Sequence, residues 1–352
     1  MFMNEGIRLK DALKTEIIGI STTPNDELFA SQEVDPRESS NVFPIPNDEI
    51  LNESKFTEEE VTVIVFDSVA RLDSTIMTKN GLVGFITITL GSIKFTNGKE
   101  IILSESTKTE TKRIIISPQG VFSEGIKFLK IDDKITYELM PTTRSKIDTF
   151  EELWKEIFLK EELPRIENEF INTKVIKEMN ETTVLIKDGK LELTKTSLPF
   201  DIKNEELWFN IFGNIKNYQI DLNKAMNIIS IGAARTNIEY EPYNEMGARR
   251  YQSYINLGRT KEDLRNKRYE IFKKGIFNFS RVDMLIPNHL DDIEKVIDRY
   301  NFISNFLRKM TSIFSNNPRF PQNIPIISTL EKYLRSLMGR REIVTKEIMK
   351  SY

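Results

Sequence analysis

The chain carries one histidine, His289, and no cysteine. A single imidazole cannot build a histidine-rich metal site, and any serine triad would have to use this one. Without thiols there is no disulfide, no thiolate zinc or iron–sulfur site and no cysteine catalysis. His289 precedes Leu290-Asp291-Asp292, where a helix is expected to begin. Carboxylates there suit the positive end of a helix dipole, so His289 reads as a helix-start residue.

Phosphate loops are missing from the sequence. Gly98-Lys99 lacks a glycine-rich frame before it, and no G-x-G-x-x-G occurs. Gly81-Leu82-Val83-Gly84 runs into a strand pattern and reads as a turn. Carboxylate pairs stand at Asp132-Asp133, Glu151-Glu152 and Asp291-Asp292. Two-metal nucleases and polymerases use acidic clusters, but each of these pairs has a local explanation in a turn or a first helical turn. The expectation is a protein that is not an enzyme, with no catalytic, metal or cofactor residue and no cofactor.

The most unusual stretch is 249–281, with ten basic residues against three acidic ones. Arg249, Arg250, Arg259, Lys261, Arg265, Lys267, Arg268, Lys273, Lys274 and Arg281 are interleaved with Tyr251, Tyr254, Tyr269, Phe272, Phe277 and Phe279. Cations neutralise phosphates and aromatic faces stack bases, so the composition suits nucleic acid. Arg and Tyr are equally favoured anchors of protein interfaces. A solvated basic helix face is the plain third reading.

The elements that would position these residues follow from the pattern. Residues 5–18 place Ile7, Leu13 and Ile17 near one helical face. Residues 21–60 hold Pro24, Pro36, Pro44 and Pro46 among many acidic and amide side chains. They read as an extended acidic arm, anchored by Val42, Phe43 and Ile45. The run Val61–Phe66 is β-branched, and 85–90 alternates as a half-buried strand. Asn97-Gly98 and Asp132-Asp133 mark hairpins within a β-rich domain. Thr149 with Glu152 forms a capping box that opens a helix bearing Phe150, Leu153, Trp154, Ile157 and Phe158, ended or interrupted by Pro164. Asp188-Gly189 suggests one more hairpin. The last hundred or so residues read as helical: 260–274, then 290–314 with the clearest apolar stripe, then a proline connector and a helix capped by Ser328 and Glu331.

The expected fold class is therefore α+β, an antiparallel β-rich N-terminal half followed by a mainly helical C-terminal region. The expected divisions are 1–60, 61–147, 148–222 and 223–352. Their net charges are close to −9 for 1–60, +2 for 61–150, −5 for 151–222 and +9 for 223–352. Such polarity orients a chain against oppositely charged partners.

The N-terminal residues lack the continuous apolar run of a signal peptide, and no stretch reaches the roughly eighteen apolar residues a membrane helix needs. The chain is expected in a host cytoplasm during synthesis, in a virion if it serves one, and not inserted in a membrane. Abundant Lys, Asn and Ile with scarce Ala and Gly point to an AT-rich genome, such as a low-GC bacterium or its phage. The functional expectation is a non-enzymatic structural or assembly subunit of a multiprotein complex, such as a phage tail, baseplate or neck protein. Its partners would be other protein subunits, in a homo- or hetero-oligomer. The alternative is a nucleic-acid-binding subunit of a phage replication or transcription complex that uses 249–281.

Overall fold

Two long strands carry the architecture, and their sequences explain why. β-Branched and aromatic residues alternate through Thr62–Thr78 (β3) and Gly81–Thr96 (β4), and both faces of the pair are buried in succession. The computed structural model describes residues 7–21, 62–96, 106–179, 183–188, 228–233, 248–256, 279–287 and 325–351. The other elements are β1 (Ile7–Arg8), α1 (Leu9–Ala12), β2 (Ile17–Ser21), β5 (Thr107–Ser117), β6 (Phe128–Lys130) and β7 (Thr136–Pro141). They continue with a helical segment α2 over 152–178, then β8 (Thr183–Asp188), β9 (Ile228–Ala233), β10 (Ala248–Asn256) and β11 (Phe279–Pro287). Two helices, α3 (Pro325–Leu337) and α4 (Arg341–Lys350), complete the described residues.

The strands form one mixed sheet in the order β1-β6-β7-β5-β4-β3-β8-β9-β11-β10, with β2 added beside β3. The class is α+β-like, but the sheet is not purely antiparallel. β3–β8, β8–β9, β5–β7 and β1–β6 are parallel pairs. Three strands, β9 to β11, also lie in the region expected to be mainly helical, and β11 pairs antiparallel with both neighbours. Strand pairing beyond the local sequence decides such segments. The expected helices at 260–274 and 290–314, and the arm at 21–60 apart from Ser21, lie outside the described residues.

The turn between β3 and β4 is Lys79-Asn80, with Thr78 paired to Gly81. Gly81 has φ +108, and a Cβ there would stand 2.2 Å from the Ile147 carbonyl oxygen. The turn at Asp132-Asp133 forms as expected: β6 and β7 pair antiparallel. The expected turn at Asn97-Gly98 lies outside the described residues; β4 pairs antiparallel with β5, Ile93 opposite Thr107. Asp188-Gly189 does not fold a strand back onto Leu185 and Ile186, because both edges there are taken by β3 and β9.

The N-terminal segment is not a helix over 5–18. Leu9 and Ala12 are buried in the short α1 while Ile7 is exposed, and Ile17–Ser21 pairs with β3. Its β-branched residues follow the available strand edge, not the helical period.

Helix α2 passes through Pro164 instead of ending there. Its winding is π-helical over Glu152–Glu162, α over Leu163–Phe170, π over Ile171–Val175 and 3-10 over Ile176–Glu178. The Leu163 N–H donates to the Phe158 carbonyl, one residue beyond the α pattern. A wider turn before the proline accommodates its missing donor and its ring. The expected helix is already formed at Pro325, so Ser328 lies inside it and does not cap it. It breaks at Gly339, φ +78. Leu330, Leu334 and Ile348 are buried as expected, whereas Leu337 and Ile343 are exposed.

The sheet has helices on both faces. α2 covers Ile64, Phe66, Leu72, Ile86, Ile88, Leu90, Ile114 and Ile116 with Leu153, Trp154, Ile157, Phe158, Ile166 and Phe170. The Leu153 side chain occupies the space beside Gly84. On the other face Leu330 and Leu334 of α3 sit over Gly91. Val344 and Ile348 of α4 join Ile76, Val83, Phe85 and Ile115.

Gly81→Ala should destabilise by about 3 kcal/mol, from left-handed backbone strain plus the clash with Ile147. Gly125→Ala, at φ +82 with open space around its Cβ, should cost only about 1 kcal/mol. Equal losses in urea unfolding would contradict the role given to the Ile147 contact.

Candidate functional site

Asp73 is the one residue of β3 without an opposite number on β4. Leu72 pairs with Ile86 and Ser74 with Phe85, so Asp73 is the extra residue of a β-bulge. Bulges re-aim side chains and free backbone groups. Here the carboxylate is fully buried and collects donors from three strands. Arg71 Nε donates to Oδ1 at 2.9 Å, and Arg71 Nη2 stands 2.8 Å from the same oxygen without the alignment of a hydrogen bond. The Thr87 hydroxyl donates to Oδ2 at 2.5 Å, and the Tyr137 hydroxyl at 2.8 Å.

The bulge also reaches the C-terminal helices. Thr345 Oγ1 donates to the Asp73 carbonyl at 2.9 Å. Arg71 Nη1 donates to the Gly339 carbonyl at 2.8 Å, at the joint between α3 and α4. Burial pushes the Tyr137 phenol well above its ordinary range, and the neighbouring Asp73 charge and hydrogen bond push in the same direction. Phe85 meets the Tyr137 ring edge-on at 5.3 Å. Arg113 stands opposite Thr87 on β5, and its buried Nε has no hydrogen-bond partner.

A second buried ion pair ties α2 to the sheet. Lys187 of β8 and Glu167 of α2 are 2.6 Å apart, both largely buried. Ser68 of β3 donates to Glu167 Oε1 at 2.5 Å. These charges lock elements together. Their oxygens and nitrogens are committed to one another in the interior, which is the arrangement of a structural tie.

The acidic pairs singled out in the sequence are placed as follows. Asp132 accepts the Lys134 and Ile135 N–H groups and shapes its turn. Asp133, fully exposed, pairs with Lys130, whose hydrogen bond and charge lower its pKa. Glu152 accepts from Arg144 at 2.7 Å, the largest cause of its lowered pKa, and from the Asp148 N–H. The Glu152 N–H donates to Thr149 Oγ1 at 3.1 Å, so the expected cap is present, with Glu152 reaching back to Asp148. Glu151 pairs with Lys155 one turn on. Asp291, Asp292 and His289 lie outside the described residues.

Of the basic segment, Arg249, Arg250 and Tyr254 fall on β10 and Arg281 on β11, with Tyr254 opposite Arg281. Arg259, Arg265, Lys267, Arg268, Lys273 and Lys274 lie outside the described residues, as do Val42, Phe43 and Ile45. β10 is the last strand of the sheet among the described residues. No group of acidic side chains or histidine among the described residues is arranged to hold a metal ion. No described helix is long and apolar enough to cross a membrane.

The Asp73 cluster was missed in the sequence. Its signal is an opposite-charge pair two residues apart, Arg71 and Asp73, inside a long β-branched run. That spacing puts both on one face of a buried strand. No protein-family model matches the chain, and no curated protein matches it.

Asp73→Ala should cost about 3–5 kcal/mol, because it strands a buried guanidinium. Tyr137 gives a pH signature. Its folded pKa lies above the unfolded value of 10.0, so its contribution is complete below that pH and is lost as pH rises through the folded value. Urea midpoints should therefore fall from about pH 9 upward in the wild type, and less steeply in Tyr137→Phe. Identical pH slopes would refute the assignment.

Proposed function

We propose that the chain is a non-enzymatic structural or assembly subunit of a multiprotein complex, of the kind that builds a phage tail, baseplate or neck. The observation that carries this reading is the position of Arg249, Arg250 and Tyr254 on β10, the last strand of the sheet among the described residues. A terminal strand offers backbone N–H and C=O groups for pairing with another chain. Cations along it steer an acidic partner into register. The acidic segments 1–60 and 151–222 supply matching charge in a second copy.

A nucleic-acid partner would draw on the same cations, and the two partners make different demands. Assembly through protein contacts should weaken by about tenfold or more in Arg249→Glu/Arg250→Glu. Arg265→Glu/Arg268→Glu tests the neighbouring stretch in the same way. Sedimentation of the full chain, with circular dichroism to confirm folding, reads the effect. Labelled single and double strands titrated at low and moderate salt read the other partner. Tight binding that falls steeply with salt and vanishes in the double reversals would replace the assembly reading with the nucleic-acid one.

A further inference from the structure

The two helical layers sit on chemically different seats. Beneath α2 the middle of the sheet is apolar, and the layer is bound by a continuous cluster of aromatic and branched side chains, with Ser68 bonded to Glu167 and Lys112 to Glu169 at its margin. The opposite face is apolar at its two ends and polar across its middle. At one end lie Val63, Val65 and Ile93, and at the other Ile76, Val83, Phe85 and Ile115, all buried. Between them the register sets Arg71, Thr87 and Arg113 in one row, and Val69, Thr89 and Thr111 in the next. Asp73 lies beside the first row, and the two threonine hydroxyls of the second are 3.2 Å apart.

The C-terminal helices rest on this band. α3 places Leu330 and Leu334 at Gly91, and two polar contacts, Arg71 to Gly339 and Thr345 to Asp73, hold the joint and α4. α4 buries only Val344 and Ile348 among its apolar residues, while Ile343 and Met349 stay exposed.

We propose that α3 and α4 form a displaceable clasp, which opens as one unit and bares the polar band of β3, β4 and β5 while the sheet and α2 stay folded. Two physical effects favour this. Burying Arg71 and Asp73 carries a desolvation cost, which water returns when the helices leave. The middle of the bared surface is hydroxyl- and charge-bearing, so the loss on meeting solvent is confined to its apolar ends. Elements that move are drawn from the less stable end of a structure, where few apolar contacts hold them. The clasp also covers 67–74 of β3. On the edge away from β4 that strand pairs with β8 before this stretch and with β2 after it.

Amide hydrogen exchange on the full chain tests the proposal. The amides of 325–350 should exchange at a common rate faster than those of 84–90 in β4. Thr345→Val should speed that exchange by roughly tenfold, the loss of one hydrogen bond, and leave β4 unchanged. If that variant does not fold, the wild-type ordering decides alone. Exchange of the helices and β4 together would overturn the proposal. So would unlinked rates for α3 and α4, or a Thr345→Val effect of equal size on both layers.

Discussion

A buried carboxylate at a bulge is the constraint on which the rest of this structure depends. Asp73 interrupts the β3–β4 register, and that interruption directs its side chain toward Arg71, Thr87 and Tyr137 at once. One residue thereby joins β3, β4 and β7, and through Arg71 and its own carbonyl it joins α3 and α4 as well. A buried ion pair is a poor source of net stability, since desolvation offsets most of the attraction. Its effect is geometric. Every donor has one acceptable place, so a slipped register would leave a charge unpaired in the interior. Apolar packing alone tolerates such errors more readily.

The same logic explains how the two layers differ. The α2 face is held by area: the Trp154 and Phe158 rings meet tilted at 4.7 Å, Phe66 meets Phe170 at 5.6 Å, and leucine and isoleucine join them. Burial of this kind is non-directional and contributes most of the favourable free energy. Direction comes from the Lys187–Glu167–Ser68 contact, which fixes α2 along β3 and β8. On the opposite face the directed contacts are Arg71 to Gly339 and Thr345 to Asp73, set among apolar residues of α3, α4 and the sheet. Glycine at 84 and 91 serves each face in turn, letting a helix leucine approach the backbone of β4.

Local signals were legible where the sequence alone determines the conformation. The Thr149 cap, the Asp132 turn, the strands at 62–66 and 85–90 and the apolar stripe of α2 needed no distant partner. Elements set by distant partners were not legible. Ile17–Ser21 has a helical pattern until β3 offers it an edge. Thr183–Asp188 carries a hairpin signal, yet parallel neighbours on both sides claim its backbone. β9, β10 and β11 lie in a stretch where charge was conspicuous and β-periodicity was not. Asp73 shows the same limit for a polar site. The sequence gives a charge inside a hydrophobic strand, but only the bulge shows that Thr87 and Tyr137 converge on it. Arg249, Arg250 and Tyr254 stood out by composition, and the sheet order adds the strand they occupy.

The treatment of strand edges connects the fold to the proposed role. β3 shares its outer edge between β8 and β2, and between them the Asp73 carbonyl accepts from Thr345 of α4. At the β1 end the short strands β1 and β6 leave little length for pairing, one way proteins blunt an edge. β10 differs from both, with nine residues in register with β11. A long strand at the sheet's end is a hazard unless its pairing is controlled, and charge is the usual control. In the proposed assembly, Arg249 and Arg250 on β10 supply the charge for this control. An assembly subunit needs this combination: backbone groups that can bind, and a charge rule that selects what binds them.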